Sequence, residues 1–150
     1  MGQVLTKDNS SPLALACKGN NNIAAQLLLE NGAKVNEANT RVRNGLQFAS
    51  MHGNTDIVKM LICKGEMNYC LKNKESALYY TARNGHSQVT EILLSNGAER
   101  ELQDFRCNSP FYIAYRNGHV NLVNRFLEYS KEFFFSKTWI LTLHQVYKLQ

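Results

Sequence analysis

Apolar positions along the chain gather into short runs that return at a nearly constant interval: Leu27-Leu28-Leu29, Met60-Leu61-Ile62, Ile92-Leu93-Leu94 and Phe126-Leu127. Each run follows a shorter phrase, namely Ser11-Pro12-Leu13, Asn44-Gly45-Leu46, Ser76-Ala77-Leu78 and Ser109-Pro110-Phe111, whose starts lie 33, 32 and 33 residues apart. Between phrase and run comes a small residue at constant phase (Ala16, Ala49, Thr81, Ala114), then Asn20, Gly53, Gly85 or Gly118. A period of this length marks a repeat architecture in which one unit is one supersecondary motif. The small residues predict close packing at that phase.

The pattern within a unit predicts two short helices. The first begins at Ser11, Asn44, Ser76 or Ser109, whose side chains suit an N-cap, and Pro12 and Pro110 fall in the first turn, where a missing N–H costs nothing. Gly or Asn then supplies the left-handed residue that ends the first helix, and Gly32, Gly65 and Gly97 do the same for the second. A loop of about a dozen residues leads to the next cap. One such unit cannot bury its apolar face alone, so neighbours must stack side by side to share a core.

The stretches Gly53-Asn54-Thr55-Asp56-Ile57-Val58-Lys59-Met60-Leu61-Ile62 and Leu28-Leu29-Glu30-Asn31-Gly32-Ala33-Lys34-Val35-Asn36 resemble the second half of an ankyrin repeat. Asn84-Gly85-His86 and Asn117-Gly118-His119 resemble the inter-helix turn of that family. The resemblance runs from residue 4 to about 130. It implies an all-α repeat solenoid of stacked helix-turn-helix units with projecting β-hairpin-like loops, used across the family for protein–protein binding. On this reading residues 1–130 hold four repeats (about 7–39, 40–71, 72–104 and 105–130), and 131–150 form an apolar tail, either a cap or an atypical end.

Several departures from the family pattern stand out. The histidine that usually follows the first-helix phrase and bonds between repeats is replaced by Ala14, Gln47, Tyr79 and Tyr112, and the hairpin-tip glycine by Asn9, Val42, Lys74 and Cys107. Tight turns without glycine are expected to be loosened or strained. The loop from Gly65 to Ser76 is one residue short. Arg125 takes a position filled elsewhere by Leu27, Met60 and Ile92, and Ser130 replaces a closing glycine, so modest stability and a frayed end are expected. Met1 to Asp8 reads like the loop of a preceding repeat, and Phe133-Phe134-Phe135 with Trp139-Ile140-Leu141-Thr142-Leu143 carries no repeat phrase. The chain therefore also reads as a fragment of a longer array whose other parts carry the function.

Composition narrows the classes further. At 150 residues, 44% hydrophobic and 19% charged, the chain fits one soluble domain, with no apolar stretch of membrane-spanning length and no secretory leader pattern. A cytoplasmic monomer is expected, with the nucleus open as a second location. Cys17, Cys63, Cys70 and Cys107 form no C-x-x-C pair and have no histidines at finger spacing, so neither a metal nor a disulfide framework is indicated. Phosphate-binding loops and nucleophile elbows are missing, so no cofactor, small-molecule substrate or catalytic role is expected. His86 and His119 share one phase and read as structural.

The net charge of +5 comes from residues 40–75, with six basic against three acidic, and 109–150, with five against two. In the ankyrin family the loop tips and the exposed side of the first helices form the concave binding face. By phase these are Arg41, Arg43, Lys72, Asn73, Phe105 and Arg106 on the loops, and Lys18, Met51, His52, Arg83, Asn84, Arg116 and Asn117 on the helices. Basic residues dominate the set, which suits an acidic protein partner. Nucleic acid or polyphosphate is the alternative, with Phe105 the only clear stacking platform. The bland alternative is a solvated charged surface. Met1-Gly2-Gln3-Val4-Leu5-Thr6 also matches an N-myristoylation pattern at Gly2, though the same residues fit a repeat loop.

Overall fold

The computed structural model describes residues 9–40, 43–64 and 75–131. Among them are eight helices and no strand: α1 (Pro12–Lys18), α2 (Asn22–Glu30), α3 (Gly45–His52), α4 (Thr55–Ile62), α5 (Ala77–Asn84), α6 (Ser87–Ser95), α7 (Pro110–Arg116) and α8 (Val120–Lys131). They pair as α1/α2, α3/α4, α5/α6 and α7/α8. The first helices stack in one row, α1 on α3 on α5 on α7, and the second helices in another, α2 on α4 on α6 on α8.

Each first helix starts where the sequence places its cap. The side chains of Ser11, Asn44, Ser76 and Ser109 accept the backbone N–H three residues on, from Ala14, Gln47, Tyr79 and Tyr112. At Asn44 the cap is reciprocal, because Gln47 Oε1 accepts the Asn44 N–H at 2.9 Å. Pro12 and Pro110 open α1 and α7. The first helices end at left-handed Asn20 (φ 54°) and at Gly53, Gly85 and Gly118, close to the boundaries the period requires.

One continuous core runs through the stack. Leu13, Leu46 and Leu78 fill it from the first helices, and Ile57, Leu61, Leu93, Leu122 and Phe126 from the second. Full burial of such side chains stabilises by about 1.5–3 kcal/mol each before conformational entropy is charged against it. The small-residue phase packs as expected: Ala49, Thr81 and Ala114 are completely buried, Ala16 nearly so. Thr81 reconciles its hydroxyl with this site by donating to Leu78 O at 2.9 Å and accepting from Thr90 Oγ1.

Hydrogen bonds join each unit to the one before it. Asn84 Nδ2 and His86 Nε2 both reach Met51 O (2.7 and 2.9 Å), and one unit later Asn117 Nδ2 and His119 Nε2 both reach Arg83 O (2.9 and 3.0 Å). Between the first two units Asn54 does this work, donating to Cys17 O at 2.6 Å, and Asn22 Nδ2 donates to Asp56 Oδ2 at 3.4 Å. Part of the inter-repeat role of the missing family histidine passes to one of its replacements. Gln47 Nε2 donates to Glu75 O at 2.6 Å, while Tyr79 lines the same cleft as Asp104.

Two expectations drawn from the departures are refined. Asn9 (φ 55°) and Cys107 (φ 61°) adopt the left-handed conformation at hairpin tips without glycine, so those turns keep their geometry and carry the strain. Arg125 leaves no defect in the core: its own side chain is 54% exposed, and its counterparts are exposed (Leu27) or half-buried at the core's margin (Met60, Ile92), so the position lies on the rim. There Arg125 pairs with Glu91 at 3.6 Å and Glu128 at 3.1 Å. The helix also runs on through Ser130, whose hydroxyl donates to Phe126 O, while Arg100 caps Tyr129 O. Val42, Lys74, the short loop, Met1 to Asp8 and the apolar tail lie outside the described residues.

Candidate partner-binding face

The loops that precede α3 and α7 are built around a buried amide or acid. Asn39 Oδ1 accepts the Arg43 N–H, while Asn39 N donates to Arg43 O, closing a narrow turn. In the last loop Asp104 Oδ1 accepts the N–H groups of Arg106 and Asn108 at 2.8 Å each, and Asp104 Oδ2 accepts from Asn108 Nδ2. Burial pushes the Asp104 pKa up, but the hydrogen bonds from Asn108, Arg106 and Tyr79 outweigh it and hold the carboxyl below its ordinary value. Asp104 is thus an ionised anchor that projects Phe105 and Arg106 outward, both exposed.

Between this loop and the helices α5 and α7 lies a cleft of about 230 Å³ lined by Glu75, Tyr79, Arg83, Asp104, Phe105, Arg106, Asn108, Ile113 and Arg116. Four of the residues marked by sequence phase, Arg83, Phe105, Arg106 and Arg116, meet here. Arg83 and Arg116 are exposed, one on each of the stacked helices, and neither guanidinium has a hydrogen bond or ion pair with a described residue. Arg106 lies over the ring of Phe105 at 5.1 Å, and Phe105 remains 61% exposed.

Other marked residues are placed differently. Arg43 is half-buried, with its guanidinium 5.5 Å over the Tyr80 ring and Nε donating to the Tyr80 hydroxyl at 3.2 Å. That hydroxyl in turn donates to Glu75 Oε2. Burial and the bond to Glu75 push the Tyr80 pKa up to about 12, so it remains a phenol. Asn84 and Asn117, expected to face a partner, turn their amide N–H groups to the preceding unit instead. Met51 is half-buried and His52 Nδ1 lies 2.9 Å from Phe48 O of its own helix, whereas Lys18 is exposed at the phase of Arg83 and Arg116. Arg41, Lys72, Asn73 and Gly2 lie outside the described residues.

Glu75, Tyr79 and Asp104 were not marked from the sequence, yet they line the cleft. The available signal was positional. Tyr79 takes the place of a family histidine that links repeats, and Glu75 immediately precedes a cap. Leu15 and Tyr115 are exposed at positions whose counterparts in other units, such as Tyr80 and Ala82, are buried, because no described helix pair stacks beyond them. Among the described residues no helix is long and apolar enough to cross a membrane.

Comparison with known proteins agrees with this architecture. The family model for ankyrin repeats (3 copies) matches residues 2–68 and 46–136. The chain belongs to the ankyrin repeat family, a fold that serves generally as a protein–protein interaction module. It is similar to an ankyrin repeat and KH domain-containing protein of Caenorhabditis briggsae, 29% identical over 131 residues, which covers 85% of this chain and 5% of that protein. It also resembles a transient receptor potential cation channel subfamily A member 1 homolog of Caenorhabditis elegans, 26% identical over 127 residues, covering 83% of this chain and 10% of the channel. The phosphate system positive regulatory protein of Saccharomyces cerevisiae is 30% identical over 119 residues, covering 66% of this chain and 10% of the relative. The chain therefore spans a tenth or less of the length of these relatives.

Proposed function

We propose that this chain is a non-catalytic binding module, a scaffold or adaptor that receives an acidic or mixed segment of a partner protein on its concave face. The observation that carries this reading is the meeting of Arg83, Arg106, Arg116 and the exposed Phe105 in one cleft between the third and fourth units. Charge of one sign beside an aromatic ring gives both steering and a desolvated contact. Cytoplasmic location follows from the same reading as its natural setting, and the module acts as a monomer.

Affinity capture with the intact chain from a cell extract, run beside the Arg83→Glu, Arg106→Glu, Arg116→Glu triple variant, tests the proposal. Partners retained by the parent and lost by a still-helical variant support it. Equal capture by both would move the binding surface to the backs of the helices. Salt separates the nucleic-acid alternative, because phosphate contacts lose affinity steeply and in proportion to the number neutralised.

A further inference from the structure

The cleft between the third and fourth units also speaks to the chemistry of what enters it. Resting on the binding reading above, we propose that it is a socket for a single carboxylate side chain, an Asp or Glu of an extended partner peptide, with an apolar or aromatic neighbour laid on Phe105.

Size comes first. Sites that enclose metabolites usually run to about 300–1,000 Å³. At about 230 Å³, this cleft suits a protruding side chain better than a free small molecule.

Charge comes second. The two carboxylates on the cleft wall are already engaged, Asp104 by Asn108 and Arg106, and Glu75 by Tyr80. Arg83 and Arg116 have no hydrogen bond or ion pair with a described residue, so their donors suit an incoming anion. A planar guanidinium matches a carboxylate through two parallel hydrogen bonds. The backbone that carries Arg83 is fixed in advance, because Arg83 O accepts from Asn117 Nδ2 and lies 3.0 Å from His119 Nε2, which ties the α5 terminus to the turn between α7 and α8. Glu75 and Asp104 also argue for one short anion over a polyphosphate, since an extended anionic strand along the cleft would meet both.

Beside the arginines, Phe105 keeps 61% of its surface exposed with Arg106 already stacked on it. An ordered ring of this kind presents apolar area at little further entropy cost. The recognised feature is then an acidic residue next to an apolar one.

A phage-displayed library of random twelve-residue peptides, selected on the intact chain, supplies the probe. Affinities of the enriched peptides are then read by fluorescence anisotropy. The expected result is enrichment of Asp or Glu adjacent to an aromatic or large aliphatic residue. Arg83→Gln and Arg116→Gln should each weaken binding about tenfold, a difference of about 1.4 kcal/mol. The peptide's own Asp→Asn or Glu→Gln change should do the same, and the combined changes should be non-additive, as for groups in contact. Arg125→Gln, on the rim at α8, should leave affinity unchanged, and all variants should melt like the parent.

Enriched peptides without an acid, or losses that simply add, overturn the socket. If binding instead depends on Lys18 and Met51, the socket is wrong while the concave-face reading survives. If no peptide depends on any concave residue, both fall. A phosphoserine peptide binding more tightly than its Asp or Glu counterpart would overturn the carboxylate assignment.

Discussion

Asp104 is 4% exposed and nevertheless charged, because three hydrogen bonds from Arg106 and Asn108 replace water it lost. Its folded pKa lies below the unfolded value near 3.9, so its contribution to stability is fully present above that value and is lost as pH falls through the folded pKa. Asp104→Asn turns one acceptor into a donor facing Asn108 Nδ2. Urea unfolding at neutral pH should show a loss of about 1–3 kcal/mol, and the variant should have a shallower acid limb than the parent. Cys17 responds at the other end of the scale. Burial pushes its thiol from 9.0 up to about 12, a backbone hydrogen bond opposing only part of the rise. Its contribution is therefore complete below about pH 9 and declines as pH climbs toward 12. Since the thiolate is the nucleophile, iodoacetamide at neutral pH should modify exposed Cys63 and Cys107 well before Cys17, read by peptide mass spectrometry. Rapid labelling of Cys17 in the native chain would contradict the packing of α1 on α3.

At the scale of helices and turns, Gly53 and Gly85 do more than permit a left-handed backbone. A Cβ on Gly53 would fall 2.7 Å from His86 Nδ1, and one on Gly85 2.8 Å from the ring of His119, whereas Gly32, also left-handed, has open space around that position. Gly32→Ala should thus carry only the conformational penalty, roughly 1 kcal/mol. Gly53→Ala and Gly85→Ala should exceed it by about 1 kcal/mol or more through overpacking, measured as shifts in urea midpoint. Adding His86→Ala to Gly53→Ala should recover part of the excess. The caps, the proline starts and the helix-ending turns were all legible in the sequence, because each is decided by chemistry local to a few residues. The partners of Arg43, Asn84 and Asn117 were not. Phase states which residues share a row, but whether an amide faces solvent or the carbonyl of the preceding unit depends on a distance that only stacking creates. For the same reason Gln47 and Tyr79 looked like losses of the family histidine, and only the three-dimensional arrangement shows Gln47 bonding to Glu75 and Tyr79 in the cleft beside Asp104.

For the molecule as a whole, face and core should separate cleanly under mutation. Arg83→Glu and Arg116→Glu alter exposed side chains with no ion pair to a described residue, so each should change stability by about 0.5 kcal/mol or less while weakening partner binding. Ala49→Glu forces a charge into a completely buried site on α3 and should unfold the stack, seen as loss of helical circular dichroism. Binding lost by the first route leaves a folded protein. Binding lost by the second does not.

The bonds described between one unit and the next bridge 28 to 38 residues, among them Gln47 to Glu75, Asn54 to Cys17, Asn84 and His86 to Met51, Asn117 and His119 to Arg83, and Tyr129 to Glu91. A ribosome adds that many residues in roughly 2–7 s, while contacts this local form in microseconds to milliseconds. Each helix pair can accordingly dock on its predecessor as it emerges, without waiting for any later part of the chain. Throughout synthesis, each newly docked pair covers the open edge of the pair before it, so the apolar surface added at any moment is confined to the growing edge.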